Sequence, residues 1–498
     1  MRIAVVGGGI SGLATCLVLA RRGHDLTLFE RDPLTIAADP HDAFEADRRG
    51  APQVRHSHAF LARLRNLLRD EYPDVLQALY DAGATDLRFA DGIPPTITDY
   101  EPEPADDDLA MLACRRTTFE WVLRSIAVKE GRLVVRGGSE VTGLTHTEGQ
   151  PDTATSKRPR ITGVRLADGT TEDFDLTVVA TGRRGALPDW LESAGTAPVV
   201  ETIDESGIVY FSRFYRLNPG QSLPPRTGPI GGDLGYLKYG VFAGDNGTFS
   251  VTLAVATDDA EIRRLLDGEE IFDRIGRELV FTAPYLDGRA EPITGVHKIA
   301  GLISRWRDYL VDGAPIASGV APVGDALLAT NPLYGRGCAT GFWAAHLLGE
   351  ALAAFENNDH VGDAGTDAST ITLAISQYLT RVEDLIHPWV LSTMRTDQDS
   401  REVAANILAG NDPDAGFDDA KRLERSVLRD GLRPAMRSDA KVLRAFMRNF
   451  NLLTAPDTVV KDADVMGRVF MAWQERDSRP PEPVLGPERE EMVKRLVS

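Results

Sequence analysis

Cysteine is scarce in this chain. Its three residues, Cys16, Cys114 and Cys338, stand far apart with no CxxC pair, so a disulfide framework is excluded and buried thiols in a reducing cytoplasm are expected. Positive charge is also in short supply. A net charge of −19 and a pI near 5.0 argue against nucleic acid or anionic lipid as partners. No apolar run free of charge and glycine is long enough for a bilayer span, so stable membrane insertion is not expected. Neither a metal-spaced cluster nor a catalytic triad is visible, and no metal is assigned. What remains is 498 residues, 43% hydrophobic and 26% charged, which is enough chain for two or three domains around a sizeable core.

The most organised stretch is RIAVVGGGISGLATCLVLARRGHDLTLFER at the amino end. Arg2 to Val6 suits a buried parallel strand and runs into Gly7, Gly9 and Gly12, spaced GxGxxG, with an apolar helical pattern from Leu13 to Arg21. Gly7 permits the tight turn, Gly9 lets backbone approach a pyrophosphate, and Gly12 lets the helix lie close on the strand. The helix start then offers unpaired N–H groups and partial positive charge to phosphate. Asp25 to Phe29 makes a second strand ending at Glu30, whose carboxylate can accept ribose hydroxyls. Together these describe a dinucleotide-binding unit. A secretory signal is the rival, but the run is rich in glycine and the pair Arg21 and Arg22 follows it rather than precedes it.

Further along, an Asp-rich stretch from Arg31 to Gly50 precedes a helix expected from His58 to Leu79, with Phe60, Leu61, Leu64, Leu67 and Leu68 on its apolar face. Gln53, Arg55, His56 and His58 crowd its entry, either as contacts to an anion or polarised ring or as a solvated turn with a cap. Glu101 to Asp108 is an acidic loop expected in solvent. Thr117 is the expected N-cap of the next helix, with one of Arg115 and Arg116 a surface charge and the other within reach of a cofactor. Ile161 to Leu166 and Phe174 to Ala180 are expected to pair as a hairpin across Asp168-Gly169. The second of these runs into Ala180-Thr181-Gly182, as a third parallel strand returning to the nucleotide would.

From Pro198 to Pro292 aromatic-rich strands take over, turning at Gly244-Asp245-Asn246-Gly247. Most of their aromatics are expected in the core and two or three on a cavity wall. Ile316 to Val323 then delivers Gly324 and Asp325, and Gly335, Gly337 and Gly341 lead into another helix. An acid at a strand end followed by a glycine-rich turn repeats the logic of the opening unit. Ile371 to Ser498 is helical, charged and without a motif; His387 to Trp389 are expected in the core.

Four motifs, GGGISG with Glu30, APQVRHSHAFL, ATGRRGALPDWL and GDALLATNPLYGRGCATGF, make the first 350 or so residues resemble the flavoprotein monooxygenases of the 4-hydroxybenzoate hydroxylase superfamily. The chain looks most similar to the actinobacterial branch that includes polyketide epoxidases. That resemblance implies FAD as cofactor and NAD(P)H as a transient reductant. It implies an α/β fold in which a doubly wound, three-layer FAD-binding domain (1–197 and 293–370) carries an inserted, mainly antiparallel substrate-binding sheet (198–292) and a helical C-terminal cap (371–498). By resemblance, Gly7, Gly9, Ile10, Ser11, Gly12, Glu30 and Arg31 meet the ADP half, and Gly324 and Asp325 the ribityl chain. Gln53, Arg116, Val141, Thr181, Gly182, Gly335, Gly337, Cys338 and Ala339 are further FAD contacts, while Arg55, His58, Pro332 and Tyr334 stand on the flavin side as catalytic candidates.

Two departures matter. Ala326-Leu327 replaces the usual Ala-His, which removes a proton relay borrowed from aromatic hydroxylases, and the tryptophan motif of flavin halogenases is absent. The expected activity is oxygenation of a small, largely apolar substrate by dioxygen through a flavin hydroperoxide, in a monomer or homodimer. Because no protein base emerges, epoxidation is favoured over hydroxylation. An oxygen-independent FAD reductase or dehydrogenase and a non-redox flavin-containing cyclase are the alternatives.

Overall fold

The computed structural model describes residues 1–34, 36–46, 48, 50–98, 100–148, 151–153, 156–226, 228–356, 368–481 and 483–497. Positions 35, 47 and 49 of the Asp-rich stretch, 357–367 at the end of the expected cofactor-domain range, and 482 lie outside the described residues. A five-stranded, all-parallel sheet is the scaffold. Its strands run in the order Val320–Pro322, Leu176–Val179, Arg2–Val6, Asp25–Glu30 and Leu133–Gly137. Strand Arg2–Val6 is central, with Ile3 opposite Leu176 on one side and Leu26 on the other. The order of connections reverses beside it, which opens a crevice at its carboxyl end.

Helix Ile10–Ala20 covers one face of this sheet, followed outward by helices Arg116–Lys129 and Arg336–Glu356, and an antiparallel sheet of Val141–Thr147, Arg160–Leu166 and Thr171–Asp173 closes the other. Strand residues buried from both sides are accordingly apolar throughout, as Ile3 to Val6 and Leu176 to Val179 show apart from Thr177.

The second sheet joins Gly231–Asp233, Leu237–Ala243, Thr248–Ala256, Ile208–Leu217 and Ala290–Pro292, with His297–Ile299 also paired to Ile208–Leu217. Alternation sorts its side chains. Val209, Phe211, Tyr215, Phe249, Val251 and Leu253 point one way, into a core shared with helices Ala260–Leu265, Glu269–Glu278 and Arg489–Val497. Their neighbours Tyr210, Ser212, Phe214, Ser250 and Thr252 take the opposite face.

Several local expectations are corrected. The helix expected from His58 to Leu79 is two, Ala62–Glu71 and Pro73–Asp81, because Pro73 has no N–H to give and pushes Tyr72 out of helical geometry (φ −137°). Thr117 is not an N-cap; that place is taken by Arg115, and the helix starts at Arg116. The hairpin partner of Arg160–Leu166 is Thr171–Asp173, while Leu176–Val179 leaves it to pair with Arg2–Val6. A short run with three aliphatic residues in four is more stable buried in the parallel sheet than on a hairpin edge. The acidic loop is a short helix, Pro104–Leu109, whose Asp106 is buried against Arg444 (2.7 Å).

Arg115 is not a surface charge either. Its guanidinium lies 2.6 Å from the Asp245 carboxylate, and Asp245 also accepts the Arg115 N–H (2.8 Å). Both side chains are buried. Asp245 stands in the turn between Leu237–Ala243 and Thr248–Ala256, so this pair pins the second sheet to the start of helix Arg116–Lys129. Burial raises the Asp245 pKa, but Arg115 outweighs it and the net shift is downward. Asp245→Ala strands a buried guanidinium and should lower the unfolding free energy by about 3–5 kcal/mol in urea denaturation, whereas Arg115→Met with Asp245→Leu should recover most of that loss.

Candidate functional site

Two glycine-rich turns from opposite ends of the chain meet at the crevice. Gly7, at φ +107°, donates its N–H to the Phe29 carbonyl (2.8 Å), and a Cβ there would stand 2.5 Å from the Ala180 oxygen. A Cβ on Gly12 would collide with the Gly7 carbonyl. Gly9 is different: extended at the N-cap of helix Ile10–Ala20, its Cβ would meet only Arg116 Nη2, 3.9 Å away. Open space thus faces the Gly9 backbone and the free N–H groups of the helix start, with a guanidinium on its far side.

The second turn arrives after strand Val320–Pro322. Gly324, at φ +64°, and Gly341 of helix Arg336–Glu356 both lie so close to Ser11 that a Cβ on either would overlap its hydroxyl. Ile10 and Ala339 are buried alongside. Asp325 follows in the short turn Gly324–Ala326. Burial raises its pKa against the opposing pull of Arg116, Arg183 and Arg305, and among the described residues it makes no ion pair within 4.0 Å. Gly182, at φ +75°, and Gly337 each face open space within 4 Å of a Cβ, and among the described residues buried Thr181 Oγ1 has no hydrogen-bond partner.

Arg116 joins these parts. Its Nε donates to Glu120 Oε1 (2.8 Å) and its Nη1 lies 3.2 Å from His58 Nε2. Burial, reinforced by Arg116, lowers the His58 pKa to about 3, so the ring is neutral. Its Nδ1–H then donates to the His56 carbonyl (2.9 Å), leaving Nε2 to accept from Arg116. Glu120 in turn accepts from Arg48 Nη1 (3.1 Å), and Arg48 stands 4.0 Å from Glu30. Glu30 itself accepts the N–H groups of Gly8 (2.7 Å) and Asp32 (3.0 Å), so its position at the strand end is held by backbone. Glu120 and Arg48 were not among the sequence candidates. The i,i+4 spacing of Arg116 and Glu120 was the available signal; Arg48 had none.

Not every candidate gathers here. Arg31 is exposed, and Val141 is buried at the start of strand Val141–Thr147. Arg55 turns toward Phe44, its guanidinium 5.0 Å from that ring. Gln53 is half-buried in the turn Pro52–Arg55. Cys338 is buried, and burial raises its thiol pKa to about 11.

Beside the crevice, a cavity of about 1670 Å³ opens between the second sheet, the turn Pro332–Tyr334 and the C-terminal helices. Tyr239 and Phe242 are the aromatics of the sheet on its wall, with Leu333, Tyr334 and Gly335 from the turn. Gly335, at φ +64°, places that turn against Ala59. Behind it lies a buried polar knot that sequence reasoning missed. Asp397 Oδ1 accepts from Asn331 Nδ2 (2.8 Å) and from the Tyr334 hydroxyl (3.3 Å), and the Tyr210 hydroxyl donates to Asn331 Oδ1 (3.1 Å). Asp397 sits in mid-helix His387–Leu408, 63 residues from Tyr334, where no local pattern links them. Trp389 is buried as expected, while Pro388 reaches the cavity.

Comparison with known proteins bears on this arrangement in two ways. Residues 2–43 match the family model described as FAD dependent oxidoreductase. A search of curated proteins returns no significant match. Among solved structures, a probable FAD-dependent monooxygenase from Pseudomonas aeruginosa, PqsL, is 16% identical with a TM-score of 0.53, covering 82% of this chain and 96% of that one. The flavin-dependent brominase Bmp2 is 14% identical with a TM-score of 0.55, covering 96% and 100%. The anhydrotetracycline hydroxylase OxyS from Streptomyces rimosus is 17% identical with a TM-score of 0.54, covering 91% and 77%. At these identities the likeness is one of fold: the chain has the α/β architecture of these flavin enzymes, opening on the segment typical of FAD dependent oxidoreductases.

Proposed function

We propose that this protein is an FAD-dependent monooxygenase that uses NAD(P)H and dioxygen to hydroxylate or epoxidise a largely apolar organic substrate. The observation that carries the reading is the meeting of the two glycine turns at Ser11. It aligns the open backbone at Gly9, the carboxylate of Glu30 and the turn bearing Asp325 along one crevice. These residues fit FAD. A Cβ-free surface and a helix start suit the pyrophosphate, Arg116 adds positive charge over it, and Asp325, lacking an ion pair of its own, suits the hydroxyls of the ribityl chain. Thr181 Oγ1 is a further unsatisfied group near the same strand ends.

Bound FAD would supply the electron transfer and oxygen activation. The chain's residues hold, orient and exclude water. Neutral His58 locks the Arg116 guanidinium in place without adding a second charge. The apolar cavity beside the turn Pro332–Tyr334 shelters the substrate from solvent. Tyr334 and Asp397 supply what the sequence lacked, a proton acceptor at the cavity wall. The Tyr334 hydroxyl donates to Asp397, and a proton leaving a substrate hydroxyl can pass to Tyr334 as Tyr334 hands its own to the carboxylate. Hydroxylation of an ionisable ring therefore stands level with epoxidation.

Burial raises the Asp397 pKa from 3.8 to about 6, with Asn331, Lys238 and Tyr334 pulling it down and Asp204 pushing it up. Arg401, paired with Asp204 (2.8 Å), and Arg336 also face this group. A carboxyl whose pKa rises on folding costs stability once pH exceeds the unfolded value, and the whole cost is present above the folded one. Asp397→Asn should therefore gain about 2 kcal/mol relative to the parent on going from about pH 4 to about pH 8 in urea unfolding; a constant difference would remove Asp397 as a titrating group.

The FAD assignment predicts a yellow protein as purified. Asp325→Ala should weaken FAD binding by on the order of tenfold in reconstitution titrations with the fold intact by circular dichroism, and unchanged affinity would displace the cofactor from this crevice. For the reaction, NAD(P)H consumption in isotopically labelled dioxygen should place one labelled atom in the product. NAD(P)H oxidation with an unlabelled, reduced product would instead establish the oxygen-independent reductase.

A further inference from the structure

Some interior arginines, such as Arg336 and Arg63, are held by carbonyl and hydroxyl oxygens alone, but others keep carboxylates beside them: Arg115 has Asp245, Arg116 has Glu120 and Arg213 has Asp273. Arg226 does not. It lines the large cavity among Leu87, Phe89, Met111, Phe242 and Phe281, and among the described residues no carboxylate lies within 4.0 Å of it. Its Nη2 donates to the Arg88 carbonyl (2.7 Å), while its buried Nε has no partner. Burial lowers its pKa, opposed by Asp91 and Tyr285. A partly desolvated guanidinium with spare donors in apolar surroundings is unfavourable by itself and becomes favourable when an anion arrives.

Two further facts define that anion's carrier. Arg226 also borders a second cavity of about 190 Å³, which shares Ala59, Leu87, Met111, Ile230 and Phe242 with the first and reaches His58, the partner of Arg116. The guanidinium thus stands on the partition between the large cavity and the crevice side. Around the large cavity basic side chains outnumber acidic ones, although the protein as a whole carries −19. Local charge of that sign attracts an acid rather than a neutral or basic molecule.

We propose that the substrate is an organic acid, with an apolar body larger than a single ring in the cavity and its carboxylate bound by Arg226. This rests on the oxygenase reading for its use, though not for its binding. The planar fork of the guanidinium can offer Nε–H and an Nη–H to the two oxygens of one carboxylate. Tyr334, on the same cavity wall, then faces the apolar body rather than the acid group.

The test is equilibrium dialysis of the FAD-loaded protein with anthracenecarboxylate and with anthracenemethanol, which share the ring system and differ in charge. The acid should bind on the order of tenfold more tightly than the alcohol. Arg226→Met should erase that preference and leave the alcohol's affinity unchanged, and Arg226→Lys should keep part of it. Equal binding of the two probes, binding of neither, or a preference that survives Arg226→Met would overturn the proposal. Because no turnover is measured, a preserved preference alongside failed oxygen incorporation would sink the oxygenase reading alone.

Discussion

The approach of Ser11 to two glycines is the constraint on which the site depends. Its hydroxyl occupies the place where a side chain at Gly324 or Gly341 would stand, so helix Ile10–Ala20 and helix Arg336–Glu356 lie close enough for their first turns to face one crevice. Any larger residue at either glycine would part the helices and open the crevice between its two halves. Gly12 imposes the same closeness between the first helix and the strand before it. Three absent side chains thus bring the start of helix Ile10–Ala20 and the Asp325 turn to the two sides of one crevice.

Charge organises the remainder. The interior near the crevice holds an alternating series, Glu30, Arg48, Glu120 and Arg116, each member near a partner of opposite sign. Each charge taken out of water has an opposite charge beside it, which offsets the cost of burial. The Arg115–Asp245 pair extends this order to the second sheet, fixing that sheet against the same helix that carries Arg116. Asp397 and Arg226 are exceptions of opposite sign. Among the described residues one is a carboxyl without an ion pair and the other a guanidinium with no carboxylate within 4.0 Å; Arg226 lines the cavity and Asp397 reaches its wall through Tyr334.

The second sheet shows why the two kinds of face differ. Its aromatic residues mostly serve a core completed by helices from far along the chain, including Met492 and Leu496. The opposite face mixes Tyr210 and Phe214 with small polar side chains, among which Ser212 and Thr252 hydrogen-bond at 2.8 Å. Period-two alternation makes this division unavoidable once one face is packed.

Local chemistry in the sequence was sufficient for the opening strand–helix–strand unit, the antiparallel sheet with its Asn246-Gly247 turn and the helical end. Each of these rests on periodicity or on a backbone conformation that few residues accept. Contacts between distant segments were beyond its reach. Tertiary structure alone decided that Arg115 is buried, that Asp106 meets Arg444, that Tyr334 meets Asp397 and that Arg226 meets no acid. Such pairings depend on where separate elements dock, and a charged residue carries no local mark of the partner, or the lack of one, that burial will impose on it.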